Sequence, residues 1–149
     1  MSLVSRATAG RPGNDSRMGN KPSIVWTTVT LDCSDAEALA AFYADLFGWE
    51  ISARDGAGWV QMRDPNGGVG LNFQADDHYE SPTWPEEPGK QMKMLHFEIL
   101  VNDVEAAADL VVHAGGRQAP YQPPNRDPRG LRVMLDPAGH PFCLFVHGD

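Results

Sequence analysis

The chain has 149 residues, 42% hydrophobic and 21% charged, with a formal net charge of −8. That length and composition suit one compact globular domain with a sizeable core, and the acidity argues against non-specific binding to nucleic acid or to an anionic membrane, both of which need a basic surface. No apolar run reaches the roughly 18 residues of a membrane span, and two cysteines, Cys33 and Cys143, without a CxxC pair argue against a disulfide scaffold and for a reducing cytoplasm.

Residues 1–23 are rich in Gly, Ser, Asn and Arg and are expected to be disordered, with Met18 as an alternative start. From Ile24 to Asp32 the chain alternates and carries β-branched residues, which predicts a strand. Ser34 or Asp35 then caps a helix whose apolar positions Leu39, Phe42, Tyr43, Leu46 and Phe47 follow helical spacing, and Gly48 ends it. Strands are predicted over 49–54, 58–63 and 69–74, joined by Asp55-Gly56 and by the turn Asp64-Pro65-Asn66-Gly67. Residues 76–91 form a linker in which Pro82, Pro85 and Pro88 bar a regular ladder and Trp84 is available for packing over the domain or against a partner.

The order then repeats. A strand over 92–101 leads through Asn102 or Asp103 into a helix ended by Gly115-Gly116. Strands follow over 117–121, 131–135 and 141–147, the last two joined by Asp136-Pro137-Ala138-Gly139. A slide of 68 residues places Thr28 on His96, Asp35 on Asp103 and Gly48 on Gly116, and the two Asp-Pro-x-Gly turns lie 72 residues apart. The expectation is an α+β domain over 24–147, built from two pseudo-symmetric βαβββ modules (about 24–75 and 92–147), with curved mixed sheets whose open faces form a cleft.

Alternation assigns the faces. Val29, Leu31, Phe97 and Ile99 suit packing under the helices. Trp26, Thr28 and Thr30, with His96 and Glu98, then line the open side, because a carboxylate under a helix would lose its hydration without an evident partner. Counting from the two turns adds Leu71, Phe73, Cys143 and Phe145 to that wall. His96 and Glu98 are the polar anchors and the candidates for proton transfer. Cys143, between Phe142 and Leu144, reads as a small buried residue, and His140 as a rim residue.

The stretches TVTLDCSDAEALAAFYADLFGWE, LHFEILVNDVEAAADLVVHAGG and DPAGHPFCLF resemble the paired modules of the vicinal-oxygen-chelate superfamily, which includes glyoxalase I, extradiol dioxygenases and bleomycin-resistance proteins. The resemblance spans about residues 24–147 and is nearest to glyoxalase-like domains. It implies a metal-ligand position on the first and last strand of each module, which here fall on Thr28, Leu71, His96 and Cys143. Only His96 and Cys143 have metal chemistry, too few for a catalytic site. The expectation is therefore no cofactor, and a cytoplasmic domain that binds a small aromatic or drug-like molecule in the cleft; the resemblance, with the apolar first-module helix and the Trp84 linker as surface, implies a homodimer. The alternative is a metal-dependent lyase, isomerase or dioxygenase in which a divalent ion polarises vicinal oxygens.

Overall fold

The computed structural model describes residues 21–148. Module 1 consists of β1 (Thr28–Cys33), α1 (Ala36–Phe47), β2 (Ile51–Asp55), β3 (Trp59–Met62) and β4 (Gly70–Ala75). Module 2 repeats the order with β5 (Glu98–Leu100), α2 (Val104–Ala114), β6 (Arg117–Gln118), β7 (Leu131–Leu135) and β8 (Pro141–Phe145). The two sheets have the same strand order, β1-β4-β3-β2 and β5-β8-β7-β6. In each, the first and last strands pair in parallel and the others antiparallel. The predicted α+β fold of two like modules is therefore the observed one. The expected disorder of 1–23 lies almost wholly outside the described residues.

Local sequence explains the helix ends. Asp35 and Asp103 are both extended N-caps whose carboxylates accept from Ala38 N and Ala106 N at 3.0 Å. Each satisfies one of the orphan donors of the first turn, where Glu37 and Glu105 also favour the dipole. Gly48 (φ 66) and Gly115 (φ 109) close the helices in the left-handed region that a side chain resists. The helix α2 is one residue shorter than α1. The 68-residue correspondence thus holds at the N-caps and falls to 67 at the C-caps, so Gly116 stands where module 1 has Trp49.

Both modules feed one core. Tyr43 and Phe42 of α1, Phe73 of β4, Val111 of α2 and Phe142 and Leu144 of β8 are all buried in the same cluster. The Tyr43 ring lies 5.7 Å from Phe73, stacked, and 5.9 Å from Phe97, edge-on. Complete burial of such a side chain contributes about 2–3 kcal/mol. Arg132 is the charged exception on the helix side of β7, and Glu105 of α2 pairs with it at 2.9 Å.

Three expectations need correction. The strand predicted over 92–101 is regular only from Glu98. Leu95 N donates to Lys93 O at 2.7 Å across Met94, which sits at φ 61, and this tight turn delays the ladder until Cys143 N reaches Phe97 O. The first strand likewise starts at Thr28 rather than Ile24. The third correction concerns faces. In module 1 the last strand begins six residues after the turn aspartate, at Gly70, and in module 2 five residues after it, at Pro141. A one-residue difference exchanges the two faces of a strand. Leu71 and Phe73 therefore pack under the helices, 6% and 0% exposed, and Asn72 takes the open-face place beside Thr30.

Candidate functional site: a cavity between the modules

The open face of the first sheet is a ladder of neutral polar groups. Asn72 Nδ2 donates to Thr28 Oγ1 at 3.0 Å and lies 3.3 Å from Thr30 Oγ1, while Gln61 Nε2 donates to Asn72 Oδ1 at 3.2 Å. Ser52 Oγ extends the row to β2 through Gln61 O. Asn72 was not singled out from the sequence. Its signal was the strand Gly-Leu-Asn-Phe-Gln, where Leu71 and Phe73 alternate with smaller or polar residues.

The open face of the second sheet is mostly apolar. Glu98 and Cys143 are register partners on it. With Leu131, Phe145, Arg126 and Asp127 they line a cavity of about 380 Å³. Burial and the nearby Glu98 carboxylate push the Cys143 thiol above its usual pKa, which disfavours the reactive thiolate. Cys33 is fully buried and burial pushes its thiol up to about 11.

A second cavity, of about 340 Å³, lies where the modules and the linker meet. Thr30 and Asp32 of β1, Lys93 and His96 before β5, His140 after the second turn and Tyr79 of the linker all face it. The sequence-predicted anchors are thus near each other but divided. His96 lines this cavity and Glu98 the other, with His96 Nε2 3.6 Å from Glu98 Oε1, beyond a direct hydrogen bond. Trp26 is 71% exposed, its Nε1 donating to Thr28 O, and so lies outside both cavity walls.

His140 is more enclosed than a rim residue, with a side chain 17% exposed. Its Nδ1 lies 2.7 Å from Oδ2 of the fully buried Asp136. The same oxygen accepts from Tyr43 Oη at 2.8 Å, and Oδ1 accepts from the backbone N–H of Ala138 and His140, each at 3.0 Å. Tyr79 Oη donates to Ala138 O at 2.7 Å and lies 3.3 Å from His140 Nε2. Ser81 Oγ donates to the same carbonyl, and Trp84 Nε1 to Tyr121 O, so the linker is fastened over module 2. Burial raises the phenol of Tyr43 well above its ordinary pKa, with the Asp136 charge adding to it, and burial pushes Tyr79 up to about 12. Both are neutral donors at physiological pH.

The metal positions implied by the superfamily can be tested on these donors. Leu71 points into the core, and its open-face neighbour Asn72 is a neutral amide already bonded to the threonines. Among the described residues no three His, Cys, Asp or Glu side chains gather to hold an ion. At the four implied positions, Thr28, Leu71, His96 and Cys143, the described side chains do not match a divalent-metal ligand set.

Comparison with known proteins agrees with this architecture. No curated protein matches the chain. Among solved structures, a possible glyoxalase from Bacillus cereus superposes with a TM-score of 0.56 at 16% identity, covering 83% of this chain and 99% of its own. A glyoxalase/bleomycin resistance protein/dioxygenase family enzyme from Burkholderia phytofirmans PsJN gives 0.56 at 17%, over 80% and 96% of the two chains. A lactoylglutathione lyase from Agrobacterium tumefaciens gives 0.51 at 19%, over 85% and 95%. At these identities the likeness establishes the fold alone. The family model of the glyoxalase-like domain matches residues 28–145, from the first residue of β1 to the last of β8. The chain therefore belongs to the glyoxalase-like domain family, within the vicinal-oxygen-chelate superfamily.

Proposed function

We propose that this glyoxalase-like domain binds a small oxygenated molecule, with or without an aromatic ring, in the 340 Å³ cavity between its modules. The observation that carries the reading is convergence: Thr30 from module 1, His96 and His140 from module 2, and Tyr79 from the linker face one space. Its volume lies at the lower end of ordinary ligand sites, and Met92, Leu95 and Pro82 supply apolar wall between the polar groups. The structural neighbours include a possible glyoxalase and a lactoylglutathione lyase, which supports a small substrate or ligand.

A cytoplasmic homodimer completes the proposal. Among the described residues β1 and β5 each pair with one strand only, so each leaves an open edge. The segments leading into them expose Ile24, Val25 and Trp26, and Met92, Met94 and Leu95. Such apolar segments beside free edges are suited to cover by a second copy. No helix among the described residues is long and apolar enough to cross a membrane.

The test is a fragment screen followed by NMR. Shifts are expected at Thr30, His96 and His140, with His96→Ala weakening the best fragment about tenfold, the loss of one polar contact. Shifts confined to the outer helix faces defeat the reading. The alternative, a metal-dependent lyase, isomerase or dioxygenase, predicts one Zn, Ni, Fe or Mn per chain in protein purified without chelator, lost on His96→Ala; the donor set predicts none.

A further inference from the structure

We infer that His140, oriented by Asp136, is a general base that activates water in this cavity for hydrolysis of a small neutral ester or lactone. The inference rests on the cavity being the ligand site proposed above, and goes beyond it in assigning a reaction and a residue.

The two modules provide an internal control. Both contain the Asp-Pro-x-Gly turn, and in module 1 it forms without a histidine. Asn66 N donates to Asp64 Oδ1 at 2.8 Å, and the place next to Gly67 is filled by Gly68, where an added Cβ would meet Asp64 Oδ2 at 2.3 Å. Ala138 N holds the second turn in the same way, and His140 N adds a second backbone donor to Asp136 Oδ1. The imidazole is therefore not needed to make the turn. Nor is it needed to join the modules, since Tyr43 Oη already bonds Asp136.

Its geometry is that of an oriented base. A carboxylate only accepts hydrogen bonds, so the Asp136 contact at 2.7 Å places the proton of a neutral ring on Nδ1 and leaves the lone pair on Nε2. The nearest group to Nε2 is Tyr79 Oη at 3.3 Å, and that hydroxyl gives its proton to Ala138 O at the shorter distance of 2.7 Å. Among the described residues Nε2 thus has no donor, and it is free to accept one from a water in the cavity. Once Nε2 carries a proton, Tyr79 Oη is placed to accept from it.

The surroundings select the reaction. Neither cysteine faces this cavity. The hydroxyl nearest Nε2, that of Tyr79, is held by its own bond to Ala138 O, which leaves water as the nucleophile for the base to activate. Nε2 takes one proton from the water as its oxygen adds to the carbonyl carbon. The tetrahedral adduct then breaks its bond to the leaving oxygen, which recovers the proton from Nε2, giving acid and alcohol with no oxidant or reductant. Asp32, Asp76 and Glu80 outnumber Lys93 on the wall and disfavour an anionic substrate, and the volume limits its size.

The test uses the full chain with 4-nitrophenyl acetate. Saturable release of 4-nitrophenol is expected, reduced about 10²-fold in kcat by His140→Gln, the lower range for losing a general base. Asp136→Asn is expected to lower kcat with KM nearly unchanged. His113→Gln, exposed on α2, is the control for adventitious imidazole catalysis. Thermal melts establish that each variant is folded, and Tyr79→Phe provides a second, milder probe that keeps the ring. No saturation, or equal rates for His140→Gln and the parent, overturns the inference. Binding of the amide analogue 4-nitroacetanilide, followed by calorimetry, separates the two claims: binding without turnover removes the hydrolytic role alone, and absence of both removes the cavity reading with it.

Discussion

Asp64 and Asp136 open the same turn in the two modules and meet opposite environments. Asp64 is half-buried, and its recorded hydrogen bonds stay within its own turn. Asp136 is fully buried and holds Tyr43 of the other module, His140, and two backbone donors. A duplicated architecture thus keeps its geometry in both halves while one half takes on the polar junction. The open faces differ in the same spirit, with a threonine–amide ladder in module 1 and leucine, phenylalanine and a thiol in module 2.

The largest test of this asymmetry is to remove both carboxylates separately. Asp136→Ala leaves a buried phenol and two half-buried N–H groups without an acceptor, and is expected to cost about 3 kcal/mol. Asp64→Ala is expected to stay within about 1 kcal/mol. Denaturant midpoints at unchanged m-value measure the difference; equal losses would break the comparison.

The residues after the helix caps give a second contrast. Trp49 N and Gly116 N make matching bonds to Ala44 O and Val111 O. Trp49 packs its ring 5.0 Å from Phe47. Gly116 is wedged so that an added Cβ would meet Val111 Cγ1 at 2.7 Å, Leu135 O at 2.9 Å and Phe42 Cε2 at 3.0 Å. Gly116→Ala is therefore expected to cost about 2 kcal/mol by overpacking, visible as a lowered Tm.

The smallest effect is alkaline. Tyr79 is raised from the ordinary 10.0 to about 12, so between those values the unfolded chain has lost a proton that the folded chain keeps. Its contribution to stability is intact below pH 10 and falls as pH rises toward 12. Tyr43, raised in the same direction, adds to the same loss. Tyr79→Phe should flatten part of this limb in urea melts taken between pH 9 and pH 11; an unchanged slope would show that the linker phenol is not coupled to folding.

Much of the fold was legible because its signals are local. Asp35 and Asp103 as caps, Gly48 and Gly115 as stops and the two Asp-Pro-x-Gly turns each act within a few residues. The site was less so. Placing Leu71 and Phe73 on the open wall required equal spacing after the two turns, and one extra residue reversed them. The strand's own alternation, apolar at Leu71 and Phe73 and polar at Asn72 and Gln74, pointed to the observed faces. The junction at Asp136 was not readable at all, since Tyr43 lies 93 positions away and nothing local announces their contact.

That long-range contact bears on how the chain folds. Thr30 and Asn72, neighbours across the parallel pair of module 1, are 42 positions apart, and Tyr43 and Asp136 are more than twice as far. Loop closure grows dearer only slowly, by about 0.6 kcal/mol per doubling, so distance alone does not forbid the second step. What it withholds is reward: the Tyr43 ring gains Phe97 and Phe142 as neighbours only after the second half has arrived. A nascent chain ending in the linker would carry Phe42 and Tyr43 on a helix covered by its own sheet alone. Folding should accordingly be a single cooperative event, slow for its size because its decisive pairings are non-local, and passing through an aggregation-prone stage until module 2 docks.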